Sequence, residues 1–176
     1  NKQLFSFPDS LVGHLPGGFG VATVIACVLF GAISGSSVAM AAAMSVIAIP
    51  EMKKRGYPDW LSGGLVATAG GIAILIPPSI PLLIYGIVTE TSVVRLFFAG
   101  VIPGLLLALG NIISVIIIAI WLKLPRSGKF EGARVLRESK GALPALGMPV
   151  VILGGLYGGL FTPTEAAAAA CGYAMI

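Results

Sequence analysis

Residues 10–50, 60–89, 96–122 and 141–164 contain no Asp, Glu, Lys or Arg. Each of these four stretches exceeds the roughly 20 residues that carry a helix across a bilayer. The chain therefore reads as an all-α integral membrane protein. Only 10% of its 176 residues are charged and 57% are hydrophobic, whereas a soluble domain carries about 25% charge. Disorder is excluded by the same balance, since disordered chains are poor in apolar residues and rich in charge.

The net charge is +4, and nine of the eleven basic residues lie within 53–55 and 123–140. Basic residues gathered between apolar spans mark cytoplasmic loops, so the charge points to topology and not to nucleic acid. Within the second loop, Val135 and Leu136 among Arg134, Arg137 and Lys140 predict a short surface helix, with lipid headgroup contact as one reading and a solvated connection as the other. Cys27 and Cys171 stand alone in apolar surroundings and read as packing residues. With no initiator Met and a last helical pattern cut at Ile176, the sequence reads as a piece of a longer chain. Its N-terminus lacks the basic region and cleavage signal of a signal peptide.

The first charge-free stretch is too long for one simple span. At its centre, residues 30–37 read Phe-Gly-Ala-Ile-Ser-Gly-Ser-Ser, and Gly and Ser favour turns and caps over helix interiors. The flanking segments, 18–30 and 37–49, have 13 residues each. As helix each would span roughly 20 Å, short of a core about 30 Å thick. Two half-length helices make a re-entrant hairpin ending in the basic turn at 49–56; a single tilted span with an unwound centre is the alternative.

A second break falls at residues 76–81, Ile-Pro-Pro-Ser-Ile-Pro. Three prolines in five positions remove three backbone donors and clash with preceding carbonyls, which rules out a continuous helix. The arm before it is rich in small residues, Gly63, Gly64, Ala67, Ala69, Gly70 and Gly71, that permit close helix packing. After a polar turn at 90–92, residues 96–122 predict an ordinary span with a kink at Pro103-Gly104 and an interfacial Trp121. A further crossing over 142–160 carries Gly154, Gly155, Gly158 and Gly159. A new helix then begins with Thr162 as N-cap, Pro163 at the first position and Glu165 in the first turn.

Irregular backbone within a membrane is tolerated only where protein buries it or it lines a watery cavity. Interrupted helices expose carbonyls at one half-helix end and N–H groups at the other, which bind Na⁺ and anions without charged side chains. The hydroxyls of Ser34, Ser36 and Ser37 add oxygen ligands suited to a hard cation or an anionic substrate. Helix capping alone for the serines, and a packing kink alone for the prolines, are the competing readings. A serine protease of the membrane would need a base near its nucleophile, but the only histidine, His14, precedes the serines and reads as an interfacial loop residue. No carboxylate or histidine relay for protons lies within the later spans, so Na⁺ coupling is the simpler inference and enzyme function is excluded. A channel would require a pore-lining ring from an oligomer.

The run Ile33-Ser34-Gly35-Ser36-Ser37-Val38-Ala39, then Ile49-Pro50-Glu51-Met52, Arg55-Gly56-Tyr57 and Ile74-Leu75-Ile76-Pro77-Pro78-Ser79-Ile80 resembles the large membrane subunit of tripartite ATP-independent periplasmic (TRAP) transporters, the DctM-like permease. Gly159-Leu160-Phe161-Thr162-Pro163-Thr164-Glu165-Ala166 is similar to the family's mid-chain signature. The resemblance covers essentially the whole chain, as roughly the first half of such a subunit. It implies a secondary transporter of the bacterial inner membrane that takes an organic acid, such as a C4-dicarboxylate or sialic acid, from a periplasmic binding protein. Its partners would be that binding protein, a small membrane subunit, separate or fused, and the bilayer. No cofactor is implied beyond Na⁺ as coupling ion.

The family pattern further implies half of an inverted-repeat, elevator-type fold. Its parts would be a leading loop (1–16), the re-entrant hairpin (17–57), a broken helix (58–92), a scaffold helix (93–124), a basic cytoplasmic loop (125–141) and a crossing that opens the second repeat (142–176). Ser34, Gly35, Ser36 and Ser37, with Gly70, Gly71, Pro77, Pro78 and Ser79, would bind ion and substrate, with Ser34, Ser36, Ser37 and Ser79 as Na⁺ ligands. The alternative is a membrane scaffold or channel-like subunit whose breaks serve packing.

Overall fold

A computed structural model describes residues 3–124, together with 147, 150–152, 154–155, 157–162, 165 and 172–173. The basic loop expected over 125–141, with its surface helix, lies outside the described residues, as do Cys171, Pro163 and most of 142–176. Six helices order the described chain: α1 (Gln3–Val12), α2 (Gly18–Ser34), α3 (Ser37–Lys54), α4 (Asp59–Leu75), α5 (Ile80–Val88) and α6 (Val93–Trp121). No strand occurs among the described residues.

α2 and α3 double back on each other. At their open end the Arg55 guanidinium lies 4.0 Å over the Phe19 ring, and the Gly20 N–H donates to the Tyr57 hydroxyl at 3.0 Å. The hairpin arms are 17 and 18 residues long, not the expected 13, and only Gly35 and Ser36 lie between them. Gly31 and Ser34 are absorbed into α2 because its last turn rests on α4, where a Cβ on Gly31 would stand 2.9 Å from Ala73. Likewise α3 runs through Pro50, which is exposed, and ends with Lys53 and Lys54 in its last turn, where cations complement the free carbonyls.

Met40, Met44, Ala48 and Met52 recur every fourth residue of α3 and are fully buried. This stripe meets Val24 and Cys27 of α2 and Leu65, Ala69 and Ile72 of α4 in one core, and the unbranched methionines fill its irregular gaps. Lipid tails are as apolar as leucine, so helix association in a bilayer rests on close contact more than on the hydrophobic effect.

α4 runs alongside α2 in the same direction, with Tyr57 near Gly20 at one end and Ala73 against Gly31 at the other. It stops at Leu75, and α5 leaves at 40° after the break; the Pro77–Pro78 peptide is cis. α6 returns the chain to the open end of the hairpin, where Val115 packs on Gly20 and Ala119 on Gly17. Of the described helices, α6 is the one long and apolar enough to cross a membrane alone, and α4 with α5 makes a second as a bent pair. Its 29 residues span about 43 Å at 1.5 Å per residue. α6 continues through Pro103 without a break, with Pro103 exposed and Gly104 buried against Ile76.

The leading loop expected over 1–16 is instead mostly α1. Its helix includes Pro8 and is a poor former alone, but Asp9 and Ser10 are buried and Asp9 pairs with Arg55 at 3.6 Å. Tertiary contact of this kind overrides weak propensity. His14 lies exposed in the turn that follows. The expected cap at Thr162 is a capping box: the Thr162 N–H and hydroxyl donate to Glu165 Oε2 at 2.7 and 2.8 Å, and the Glu165 N–H donates back to Thr162 Oγ1 at 3.4 Å. These bonds hold the Glu165 carboxyl below its ordinary range.

Candidate functional site

The two breaks, some 40 residues apart in sequence, meet in space. α2 closes on Gly35 in the left-handed conformation at φ 60°, with the Gly35 N–H donating to Gly31 O at 2.8 Å. The Gly35 carbonyl then accepts the Ile80 N–H at 3.2 Å, the first residue of α5. A Cβ at Gly35 would stand 2.6 Å from the Pro78 carbonyl oxygen. Glycine is needed here twice over, for its positive φ and for the approach of a neighbouring backbone.

The restarting helices are capped alike. Ser36 Oγ accepts from the Ala39 N–H and Ser79 Oγ from the Leu82 N–H, both at 3.4 Å. Ser34 Oγ bonds the backbone of Ser36, also at 3.4 Å. Capping therefore accounts for one function of Ser36 and Ser79. It leaves each hydroxyl further acceptor capacity, since an oxygen carries two lone pairs. Ser79 is buried, while Ser34, Ser36 and Ser37 are part-buried.

Around this contact the backbone is unusually rich in acceptors. Because Pro77, Pro78 and Pro81 have no N–H, the carbonyls of Ala73, Ile74 and Pro77 have no helical donor four residues on. The C-terminal ends of α2 and α4 bring partial negative charge, and the N-terminal ends of α3 and α5 partial positive charge. Among the described residues no group of three His, Cys, Asp or Glu side chains could hold a metal, so the donor set here consists of hydroxyls and carbonyls. Such oxygens suit hard cations.

The expected glycine pair divides. Gly70 belongs to the tip, since a Cβ there would lie 3.8 Å from Ser37 O and from Met40. Gly71 turns to α6, where its Cβ would meet Leu107 at 3.3 Å. The sequence reading missed Ile80, whose N–H ties the breaks, and Gly100 and Gly104, which pack α6 against the end of α4. The four-residue spacing of those two glycines was the available signal. The sequence reading used Arg55 as a topology mark and as part of the Arg55-Gly56-Tyr57 motif, and missed that its guanidinium joins α1, α2 and α3. At the same end, burial pushes the Tyr57 phenol up and the Gly20 N–H pulls it back down in part.

A helical hairpin whose tip is bonded to a broken helix, with no charged residue within 10–50 or 60–89, defines a membrane protein built on discontinuous helices. The chain belongs to the family described as tripartite ATP-independent periplasmic transporter, DctM component, whose family model matches residues 1–176. Relatives include the C4-dicarboxylate TRAP transporter large permease protein DctM of Pseudomonas aeruginosa, 48% identical over 172 residues, 98% of this chain and 40% of the relative. The ectoine TRAP transporter large permease protein TeaC of Halomonas elongata is 42% identical over 175 residues, 99% of this chain and 41% of the relative. The sialic acid TRAP transporter large permease protein SiaM of Vibrio cholerae is 40% identical over 177 residues, again 99% of this chain and 41% of the relative. The chain thus spans about two fifths of the length of the curated relatives it matches. The family is one of transporter permeases, not of enzymes.

Proposed function

We propose that this chain forms one ion-binding part of a Na⁺-coupled organic-acid permease of the bacterial inner membrane. The observation that carries the reading is the Ile80–Gly35 hydrogen bond, which joins the serine tip to the proline break. Around it lie hydroxyl and carbonyl oxygens, with no acidic side chain within residues 10–50 or 60–89, a donor set that favours a monovalent hard cation. A bound cation would in turn attract the carboxylate of a substrate. The substrate would arrive on a periplasmic binding protein, a small membrane subunit would complete the assembly, and alternating access would proceed by elevator motion. Relatives named for C4-dicarboxylate, ectoine and sialic acid share this segment while differing in substrate. Its role is therefore assigned to the coupling ion and the anionic group of the substrate.

The test is uptake by the full-length protein reconstituted with its binding protein. Replacing Ser34, Ser36 and Ser37 together by Ala is expected to reduce Na⁺-driven uptake about tenfold or more. Capping loss alone costs about 1 kcal/mol per site and would lower the folded amount without moving the Na⁺ concentration for half-maximal uptake. Uptake undiminished without a Na⁺ gradient would sink the reading.

The positive-inside tendency supports an orientation with the basic end of the hairpin in the cytoplasm. Lys53, Lys54 and Arg55 lie at the same end as the C-terminal turn of α6, and Glu90 at the other end of that helix. Single cysteines at 53–55 and 126–137 should be labelled from the cytoplasm, and those at 90–92 from outside. Labelling of 53–55 and 126–137 from opposite faces would overturn the hairpin topology.

A further inference from the structure

We propose that Gly100 and Gly104 of α6 are positioning residues for the tip and break; their effect on Na⁺ rests on the functional reading above. A Cβ at Gly100 would stand 2.4 Å from the Leu75 carbonyl oxygen and 3.1 Å from Leu82 Cδ1. At Gly104 it would stand 2.9 Å from Ile76 Cγ1 and 3.2 Å from Leu75 Cβ. Leu75 is the last residue of α4 and Ile76 its C-cap, so α6 supports the two residues that lead directly into Pro77-Pro78-Ser79. Both glycines are buried.

The lower part of α6 is held in register independently. Thr68 Oγ1 donates to Asn111 Oδ1 at 2.6 Å, and Val115 and Ala119 sit on Gly20 and Gly17. α6 therefore cannot slide to make room for a methyl group at position 100. The displaced atom would be the Leu75 carbonyl, and the two prolines beyond, each with φ locked by its ring, pass the shift on to Ser79 and Ile80. Ile80 passes it to Gly35 through their hydrogen bond. At Gly104 the nearest obstacle is a side-chain atom of Ile76, which can turn aside. The expected order of effect is Gly100→Ala, then Gly104→Ala, with Gly110→Ala on the same helix neutral because nothing lies within 4 Å of it.

Two measurements on the full-length protein separate this proposal from the Na⁺ reading. In reconstituted uptake, Gly100→Ala is expected to raise the Na⁺ concentration for half-maximal transport by about tenfold, the scale of overpacking in a close-packed seam, with Gly110→Ala unchanged. Spin labels at Val38 and Ile84, both exposed, are expected to report a shifted tip-to-α5 distance in Gly100→Ala and the parent distance in Gly110→Ala, with or without Na⁺. Identical distance distributions in all variants overturn the positioning role, as does an unshifted Na⁺ response in a parent that is Na⁺-driven. A parent indifferent to Na⁺ overturns the functional reading alone, and the label distances still decide the positioning. If Gly100→Ala does not fold, Gly104→Ala carries the same tests with a smaller shift.

Discussion

Replacing Gly35 by alanine is expected to abolish most transport and to loosen the hairpin from the broken helix. The residue has φ 60°, where an L side chain costs about 1–2 kcal/mol. Its new methyl group would also stand 2.6 Å from the Pro78 carbonyl oxygen, a backbone atom that cannot rotate away. Separation of the two breaks would lose the Ile80–Gly35 hydrogen bond, worth about 1 kcal/mol. Together these cost about 3 kcal/mol, roughly a hundredfold in the population with the tip seated. Gly56→Ala is the matched control, since its φ is 82° with nothing within 4 Å. It introduces strain without collision. Initial uptake rates and thermal unfolding in detergent, measured side by side, test the claim. Equal losses in the two variants would show that backbone strain alone, and not the contact between tip and break, governs the effect.

Arg55→Ala is expected to be the most damaging substitution at the opposite end, lowering stability by about 2–3 kcal/mol. The guanidinium pairs with Asp9 at 3.6 Å and Glu51 at 3.3 Å while covering Phe19. The Asp9 side chain is only 10% exposed, so truncation would leave a carboxylate with little access to water. Breaking a buried pair costs about 3–5 kcal/mol; the figure is reduced here because Arg55 is 31% exposed and the Asp9 contact is long. Lys53→Ala removes a shorter pair, 3.0 Å to Asp59, but both partners are open to solvent. It should cost under about 1 kcal/mol. Adding Asp9→Asn to Arg55→Ala should recover part of the loss by removing the charge that has lost its guanidinium. If the double variant is no more stable than Arg55→Ala, the cost lies in lost packing on Phe19 instead.

These two ends differ in how far they could be read beforehand. The break after α4 was legible because proline acts through its own covalent structure, which no tertiary contact can restore; it covers residues 76–79 and not 76–81, because Pro81 sits in the first turn of α5, where its missing N–H costs no helical bond. The caps at Ser36 and Thr162 were legible for a similar reason, since each is completed within three residues of chain, whereas the cap at Ser79 was hidden by the prolines around it. The width of the first break was not. Gly31 and Ser34 carry a preference for turns, and they are helical only because a bare glycine lets α2 lie directly on Ala73. Nor did composition separate Gly70 from Gly71, which are adjacent in sequence but face different neighbours, the tip and α6. The helix at Gln3–Val12 was read as a loop because its stability comes from Arg55, 46 residues beyond Asp9.

What the sequence determined by itself was whatever acts locally or by exclusion: apolar spans without charge, donors deleted by proline, hydroxyls placed to cap, and a family membership carried by ordered motifs. The tertiary structure alone decided that the hairpin tip lies on the proline break, that α6 supports the end of α4, and that one arginine closes the base. Each of these depends on atoms brought within bonding or van der Waals distance by helices folding back on one another. Interactions of that kind fall off over a few ångströms, and no spacing in the chain says which partner a surface will meet.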